Sequence, residues 1–163
     1  MGAYLFSPPA GIPGTINSAL DATIESFYLD ETATPEAFGI PVKLAGDKIA
    51  AFESGDAAAD FYGVLVRNVP SISGNMTQSF GSGVPNPETP QGVMRRGYIS
   101  VRCTVGTPAR GGAVYVRVTA ATGKAVGDFE ATADGSNNVL IPGVVWGVSD
   151  KDASGNTVIS VNI

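Results

Sequence analysis

The chain has 163 residues, ten basic and fifteen acidic side chains and a formal net charge of −5. This length fits one domain with its own core, and a hydrophobic content of 44% is too high for a mainly disordered chain. A pI near 4.5 argues against a nucleic-acid-binding domain, and no apolar run reaches the ~18 residues of a membrane span.

Histidine is absent, which removes Ser-His-Asp and Cys-His triads and all histidine-based metal sites. Enzymes that use carboxylates or lysine remain as a class, but the lack of the commonest acid/base residue disfavours them. The single cysteine, Cys103, excludes an internal disulfide and lies in an apolar alternation, so we predict a buried thiol. We expect no cofactor, no metal and no secretory signal.

Valine occurs 18 times and isoleucine 10 times, against six leucines. Because β-branched side chains suit strands better than helices, this ratio predicts an all-β fold. Glycine (21) and proline (11) are spread along the chain and divide it into short elements. We therefore predict a single-domain β-sandwich or barrel.

Residues 1–22 differ from the rest of the chain, because their prolines and glycines prevent a helix or a central strand. We predict an extended N-terminal arm with Tyr4, Leu5 and Phe6 as its apolar tip. These three side chains either fold back on their own sheet or dock on a neighbouring molecule. The β domain is predicted to span residues 23–163.

Hydrophobic alternation predicts the strands of the β domain. In the first half, residues 50–60 are alanine-rich and fit one short helix or a turn, and a long Pro/Gly-rich loop at about 68–92 is a candidate partner-binding segment. In the second half, a long strand is predicted to form a hairpin with the next strand through the turn at 110–112. The predicted strands are 23–29, 40–44, 48–52, 61–68, 93–105, 113–119, 128–132, 139–141, 144–148 and 157–163.

Acidic side chains offer little sign of a catalytic or metal site. Residues 150–155 resemble the start of a calcium-binding EF-hand loop, but the twelfth position is Val161 instead of glutamate, so we predict a polar hairpin turn. No pair of carboxylates, Glu130 included, is singled out by spacing, and most are expected to be solvated.

Arg95 and Arg96 are the most distinctive charged residues of the long strand. Because neighbouring strand residues point to opposite faces, one of the two should face the core unless the strand begins at Gly97. Arginine is common at interfaces, so the pair is either an interface element or a solvated pair at the start of a strand.

A series of short motifs runs through the last two-thirds of the chain: YGVLVR (62–67), RRGYISV (95–101), GGAVYVRV (111–118), GDFEA (127–131), ADGSNN (133–138), IPG (141–143) and the terminal VNI (161–163). In their order and spacing these motifs resemble the structural cement, or capsid decoration, proteins of tailed phages.

The resemblance implies a jelly-roll-like or related β fold and a non-enzymatic role. Such proteins lie on the outside of the phage head, as dimers or trimers that bridge neighbouring major capsid proteins and reinforce the shell. On this basis the candidate contacts with the capsid or between copies are Tyr4, Leu5, Phe6, Arg95 and Arg96, with no direct nucleic-acid or membrane partner. The protein would be made in the host cytoplasm. The alternative is a carbohydrate- or receptor-binding module of a virion, with Tyr28, Tyr62 or Tyr115 exposed on one face.

Overall fold

A computed structural model describes residues 11–67 and 83–163 of the chain. Within these ranges the protein is an all-β structure, with one short 3-10 helix at Ala58–Asp60. The strands are β1 (Ile16–Phe27), β2 (Pro41–Ala45), β3 (Lys48–Ala51), β4 (Gly63–Leu65), β5 (Gln91–Val105), β6 (Ala113–Arg117), β7 (Phe129–Glu130), β8 (Asn138–Trp146) and β9 (Asn156–Asn162).

Five strands close into a small barrel. β5 pairs in parallel with β7, and antiparallel pairs then join β7 to β6, β6 to β8, β8 to β9 and β9 back to β5. Alternate residues of these strands point inward, so the valine-rich sequence fills the interior with branched side chains. The barrel core includes Ile99, Val116, Phe129, Trp146 and Ile159, all at most 1% exposed.

The other strands form a second curled sheet that shares β5 with the barrel. Its order is β1–β5–β4–β2–β3, and a bridge between Leu29 and Ile49 brings the chain after β1 back to β3. A separate core of buried side chains fills this sheet: Leu29, Phe38, Val42, Ile49, Leu65 and Val93. The first residues of β5 thus belong to the second sheet, and Arg96–Arg102 pair with β9 in the barrel.

The all-β prediction is confirmed, and the strand pairings form a closed barrel; a jelly-roll connectivity is not confirmed. The predicted hairpin of β5 and β6 is wrong, because β7 lies between these strands and pairs with both. The predicted strands 139–141 and 144–148 are one strand, β8, which bends at Pro142 and Gly143. The Ile141–Val144 segment is unpaired with β6 and interrupts the β6–β8 ladder. After the bend Val145 pairs again with Ala113 of β6, and Val144–Trp146 pair with β9 on the other edge.

The first strand starts earlier than the alternation indicated. β1 begins at Ile16 and so extends into the segment 1–22 that the sequence assigned to an arm. None of the twelve residues of β1 is buried, so the strand shows no alternation of buried and exposed side chains. Its backbone pairing with β5 is what defines it as a strand. Between Ser18 and Thr23 the pairing is interrupted, and Leu20 in this bulge is 98% exposed.

Candidate interaction surface around Arg95 and Arg96

A β-bulge in β5 sets the directions of the two arginines. Thr23 of β1 pairs with Arg96 and the next residue, Ile24, pairs with Met94, so Arg95 is the extra residue on β5. Gly97 follows with φ of +129°, a conformation that L side chains rarely adopt. Because of the bulge, the inward-facing residues change from even to odd numbers, so both Met94 and Ile99 lie in the barrel core.

Arg95 lies half-buried against the second sheet. Its guanidinium carbon is 4.0 Å from the ring centroid of Tyr62, and Nη1 donates a hydrogen bond to the Tyr62 carbonyl oxygen. The Tyr62 ring also meets Phe27 edge-to-face at 5.5 Å. Its hydroxyl donates to Glu25, and this hydrogen bond raises the pKa of Tyr62. Arg95 therefore ties β5 to β1 and to the segment before β4, a stabilising role through the cation–π contact.

Arg96, by contrast, is exposed. It lies between Thr23 of β1 and Asn162 of β9, and its side chain makes no hydrogen bond or ion pair with the described residues. The structure thus separates the two neighbours: Arg95 is engaged within the protein, and the charge of Arg96 is available for contact. The prediction that the pair would face opposite sides assumed strict alternation, and the bulge interrupts that alternation at these two residues, since Met94 and Ile99 both lie in the barrel core.

The remaining predicted contact residues, Tyr4, Leu5 and Phe6, lie outside the described residues. So does most of the predicted loop at 68–92, of which the structure describes the irregular segment 83–90 and the first two residues of β5. Within that segment Val84 is 68% exposed.

The structure also describes Cys103 and the acidic segment at 150–155, two features that the sequence analysis considered. Cys103 is buried in the barrel core, as predicted, and burial raises the pKa of its thiol. The segment at 150–155 is a turn in which the Asp152 carboxylate accepts hydrogen bonds from the backbone N–H groups of Ser154 and Asn156, both at 2.8 Å. No group of three metal-ligating side chains occurs within 11–67 and 83–163.

Glu130 is not solvated, contrary to the expectation for most carboxylates. It is fully buried and forms a bidentate pair with Arg117, whose Nε and Nη2 lie 2.6 and 3.0 Å from its oxygens. Asn138 also donates to Glu130, and Asp134 accepts from Arg117 at 2.6 Å. This last hydrogen bond lowers the pKa of Asp134.

The buried network of Arg117, Glu130, Asn138 and Asp134 links β6, β7 and β8. Arg117 and Glu130 alternate with the core residues Val116 and Phe129, so they lie on the outer side of the barrel wall. Sequence alternation places both on a polar face, but it does not show that the turn at 134–137 covers them.

A shallow, open depression lies on the described surface and is lined by Lys43, Leu44, Asp60, Phe61 and Tyr62 with Ala59. Lys43 at its edge is held by Glu53 and Asp56, 2.8 and 2.9 Å from its Nζ. In the described ranges, no helix has the length and hydropathy needed to cross a membrane.

Comparisons with known proteins point to one group. A family model described as structural cement protein (E217 gp24/Pam3 gp6) matches residues 2–163. A solved structure titled "The capsid of Myoviridae Phage XM1" contains a similar chain, with a TM-score of 0.71 and 16% sequence identity over 98% of this chain and 95% of that chain. At this identity the likeness shows the fold alone. No curated protein sequence matches.

Proposed function

The chain belongs to the structural cement protein family, and from that membership we propose that it binds the outside of a phage head, bridges neighbouring major capsid protein subunits and stabilises the shell. The family match over residues 2–163 is the observation that carries this proposal. A structural role in the phage capsid is what the family name states. Beyond that role, we propose that the protein lies on the outer surface of the head, that it bridges capsid subunits and that it forms a homo-dimer or homo-trimer.

The architecture suits a protein that holds other subunits together. Two apolar cores share one long strand, so surfaces at the two ends of the molecule are joined by a continuous hydrogen-bonded framework. A chain that touches several capsid subunits at once gains avidity without tight single contacts. We propose that Arg96 and the segment Tyr4–Leu5–Phe6 contact capsid or sister subunits, and that Arg95 orients the strand that carries Arg96.

The test is co-sedimentation of the purified protein with phage heads that lack it, in both unexpanded and expanded forms. We expect saturable binding at a fixed ratio to major capsid protein, with a preference for expanded heads. Replacing Tyr4, Leu5 and Phe6 together by serine should weaken binding. The exposed Leu140→Ser change on β8 is a matched control. Absence of binding to either form of head would refute the proposed function.

The alternative, a carbohydrate- or receptor-binding module, needs aromatic side chains that share a platform. Tyr28 is 52% exposed, but the Tyr62 ring is engaged by Arg95 and Phe27. Tyr115 is half-buried on β6. The arrangement therefore does not favour this alternative. Saturable glycan binding by the purified chain, combined with no binding to heads, would establish it.

A further inference from the structure

The outer side of the barrel carries a row of apolar side chains. Tyr98 of β5, Ser160 of β9, Val145 of β8 and Ala113 of β6 follow one another as cross-strand pairs. All four point outward, because each alternates with core residues of its own strand. The next outward pair of β6 and β8 completes a surface that we call the outer strip: Tyr98, Ala113, Tyr115, Leu140 and Val145.

The outer strip is open to solvent and carries no exposed charge. Tyr98, Val145 and Leu140 are 39%, 40% and 50% exposed, three of the nine large apolar side chains that are exposed in the described part of the chain. The cross-strand partners of the strip include one charged residue, Glu130 opposite Tyr115, which is fully buried in its ion pair. Single exposed apolar residues are normal, but a continuous row of them is typical of a surface that another apolar segment covers.

The N-terminal segment joins the described structure beside this strip. Gly14 donates its N–H to the Ser100 carbonyl oxygen at 2.8 Å, and a Cβ atom on Gly11 would lie 3.5 Å from Ser100 Oγ. Ser100 is the next outward-facing residue after Tyr98 on β5. The junction is tightly packed, since a Cβ atom on Gly14 would lie 2.7 Å from the Cβ of Phe38. The chain before Gly11 therefore starts from a fixed point next to the outer strip.

The segment before Gly11 is long enough to reach the strip. It lies outside the described residues, and its sequence holds the apolar tip, Tyr4–Leu5–Phe6, and no charged side chain. Phe6 is five residues from Gly11, which extended chain spans in at most about 17 Å. Val145 lies two strands across and two residues along from Ser100, a distance of about 12 Å. Both the length and the apolar character of the tip thus match the strip.

We propose that in the free protein the outer strip binds the apolar tip of its own chain. A short tether holds the tip at an effective concentration in the millimolar range, which favours this contact over the same contact with a second copy. Burying three large apolar side chains favours docking, and the entropy lost in ordering the connecting residues opposes it, so the tip can be released.

Of the two destinations that the sequence leaves open for the tip, this one is the fold-back on its own sheet. The inference goes beyond the proposed function, which concerns the protein on a head. There the tip leaves the outer strip to contact capsid or sister subunits.

Disulfide trapping of the full chain tests the contact. The variant L5C/V145C has one thiol in the tip and one in the strip, and the native Cys103 is buried in the barrel core. L5C/L44C is the matched control, because Leu44, on β2 of the second sheet, has a similar exposure of 47%. With oxidised glutathione in dilute solution, we expect L5C/V145C to form an intramolecular disulfide at least about 10-fold faster than L5C/L44C. Non-reducing intact-mass spectrometry measures the linked monomer.

A further variant separates apolar docking from simple proximity. Y4S/F6S removes the two aromatic rings beside position 5 and keeps the tether, so L5C/V145C in this background should lose most of its advantage over L5C/L44C. Unfolding of each variant, followed through Trp146 fluorescence, should match that of the parent chain, since Val145 and Leu44 are exposed.

Three results would overturn the inference: equal trapping rates for the two cysteine pairs, an advantage that survives Y4S/F6S, or disulfide-linked dimers as the main product in dilute solution. Its failure is separable from that of the proposed function. A chain that co-sediments with heads but shows equal trapping rates overturns this inference alone. A chain that is trapped as expected but does not bind heads overturns the proposed function alone.

Discussion

Arg117 is a buried cation whose charge is balanced within the barrel wall. Its side chain is 1% exposed, and Glu130, which pairs with it, is fully buried. Removing water from both charges costs free energy that is recovered only when all partners are in place. Asn138 completes the carboxylate's hydrogen bonds, and the Thr119 carbonyl oxygen accepts from Arg117 Nη1 at 3.3 Å. The network is thus sensitive to the loss of a single member.

Replacing Arg117 by methionine should lower the free energy of unfolding by about 3–5 kcal/mol, because Glu130 would stay buried without its counter-charge. Urea unfolding measures the change. The double variant R117M/E130L should be more stable than R117M, since it removes both buried charges. As a control, K48M breaks the exposed pair with Glu31 and should cost less than about 1 kcal/mol. Equal losses for R117M and K48M would contradict this account of the network.

At the scale of the strand, the bulge in β5 depends on a glycine. A Cβ atom on Gly97 would lie 3.1 Å from the Cα of Ala22, and its φ of +129° already excludes most side chains. The bulge makes Arg95 the extra residue of β5 and changes the inward-facing positions from even numbers, at Met94, to odd numbers, at Ile99. A single residue therefore decides how β5 passes from the second sheet into the barrel.

The variant G97A should destabilise the protein by about 2–3 kcal/mol, because alanine is strained in this backbone conformation and crowds β1. G123A is the matched control: Gly123 also has a positive φ, +73°, but its Cβ would meet nothing within 4 Å. This control should cost about 1 kcal/mol, the left-handed strain alone. Urea unfolding of both variants gives the comparison, and a G97A loss no larger than that of G123A would contradict the role of the close contact.

Local alternation predicted most of the strands but not how they pair. The faces of β5 beyond Gly97 agree with the prediction, since Val101 and Cys103 are buried and Arg102 is exposed. Before Gly97 the faces differ, because an extra residue in a bulge leaves no periodic signal. The insertion of β7 between β5 and β6 also depends on contacts between distant residues. For the same reason the sequence could not identify Tyr62, 33 residues earlier, as the partner of Arg95.

At the scale of the whole molecule, the two cores should unfold together because they share β5. Leu65 is fully buried in the second core, and Trp146, the only tryptophan, is buried in the barrel. Leu65→Ala should therefore shift the unfolding transition seen by Trp146 fluorescence, with a loss of about 2–5 kcal/mol.

The exposed change Leu44→Ala is the control and should alter this transition by less than about 1 kcal/mol. If Leu65→Ala left the Trp146 transition in place while tyrosine signals moved to lower urea, the two cores would be independent units.

The length of β5 also has a mechanical consequence. Fifteen residues of extended chain span about 50 Å, and along this span both edges of the strand are hydrogen-bonded. Tension along its axis loads the flanking ladders in shear, so many hydrogen bonds must break at once instead of one after another. A force applied between the two ends of β5 therefore acts on one continuous strand that is held by both cores, and unfolding of one core alone does not free that strand.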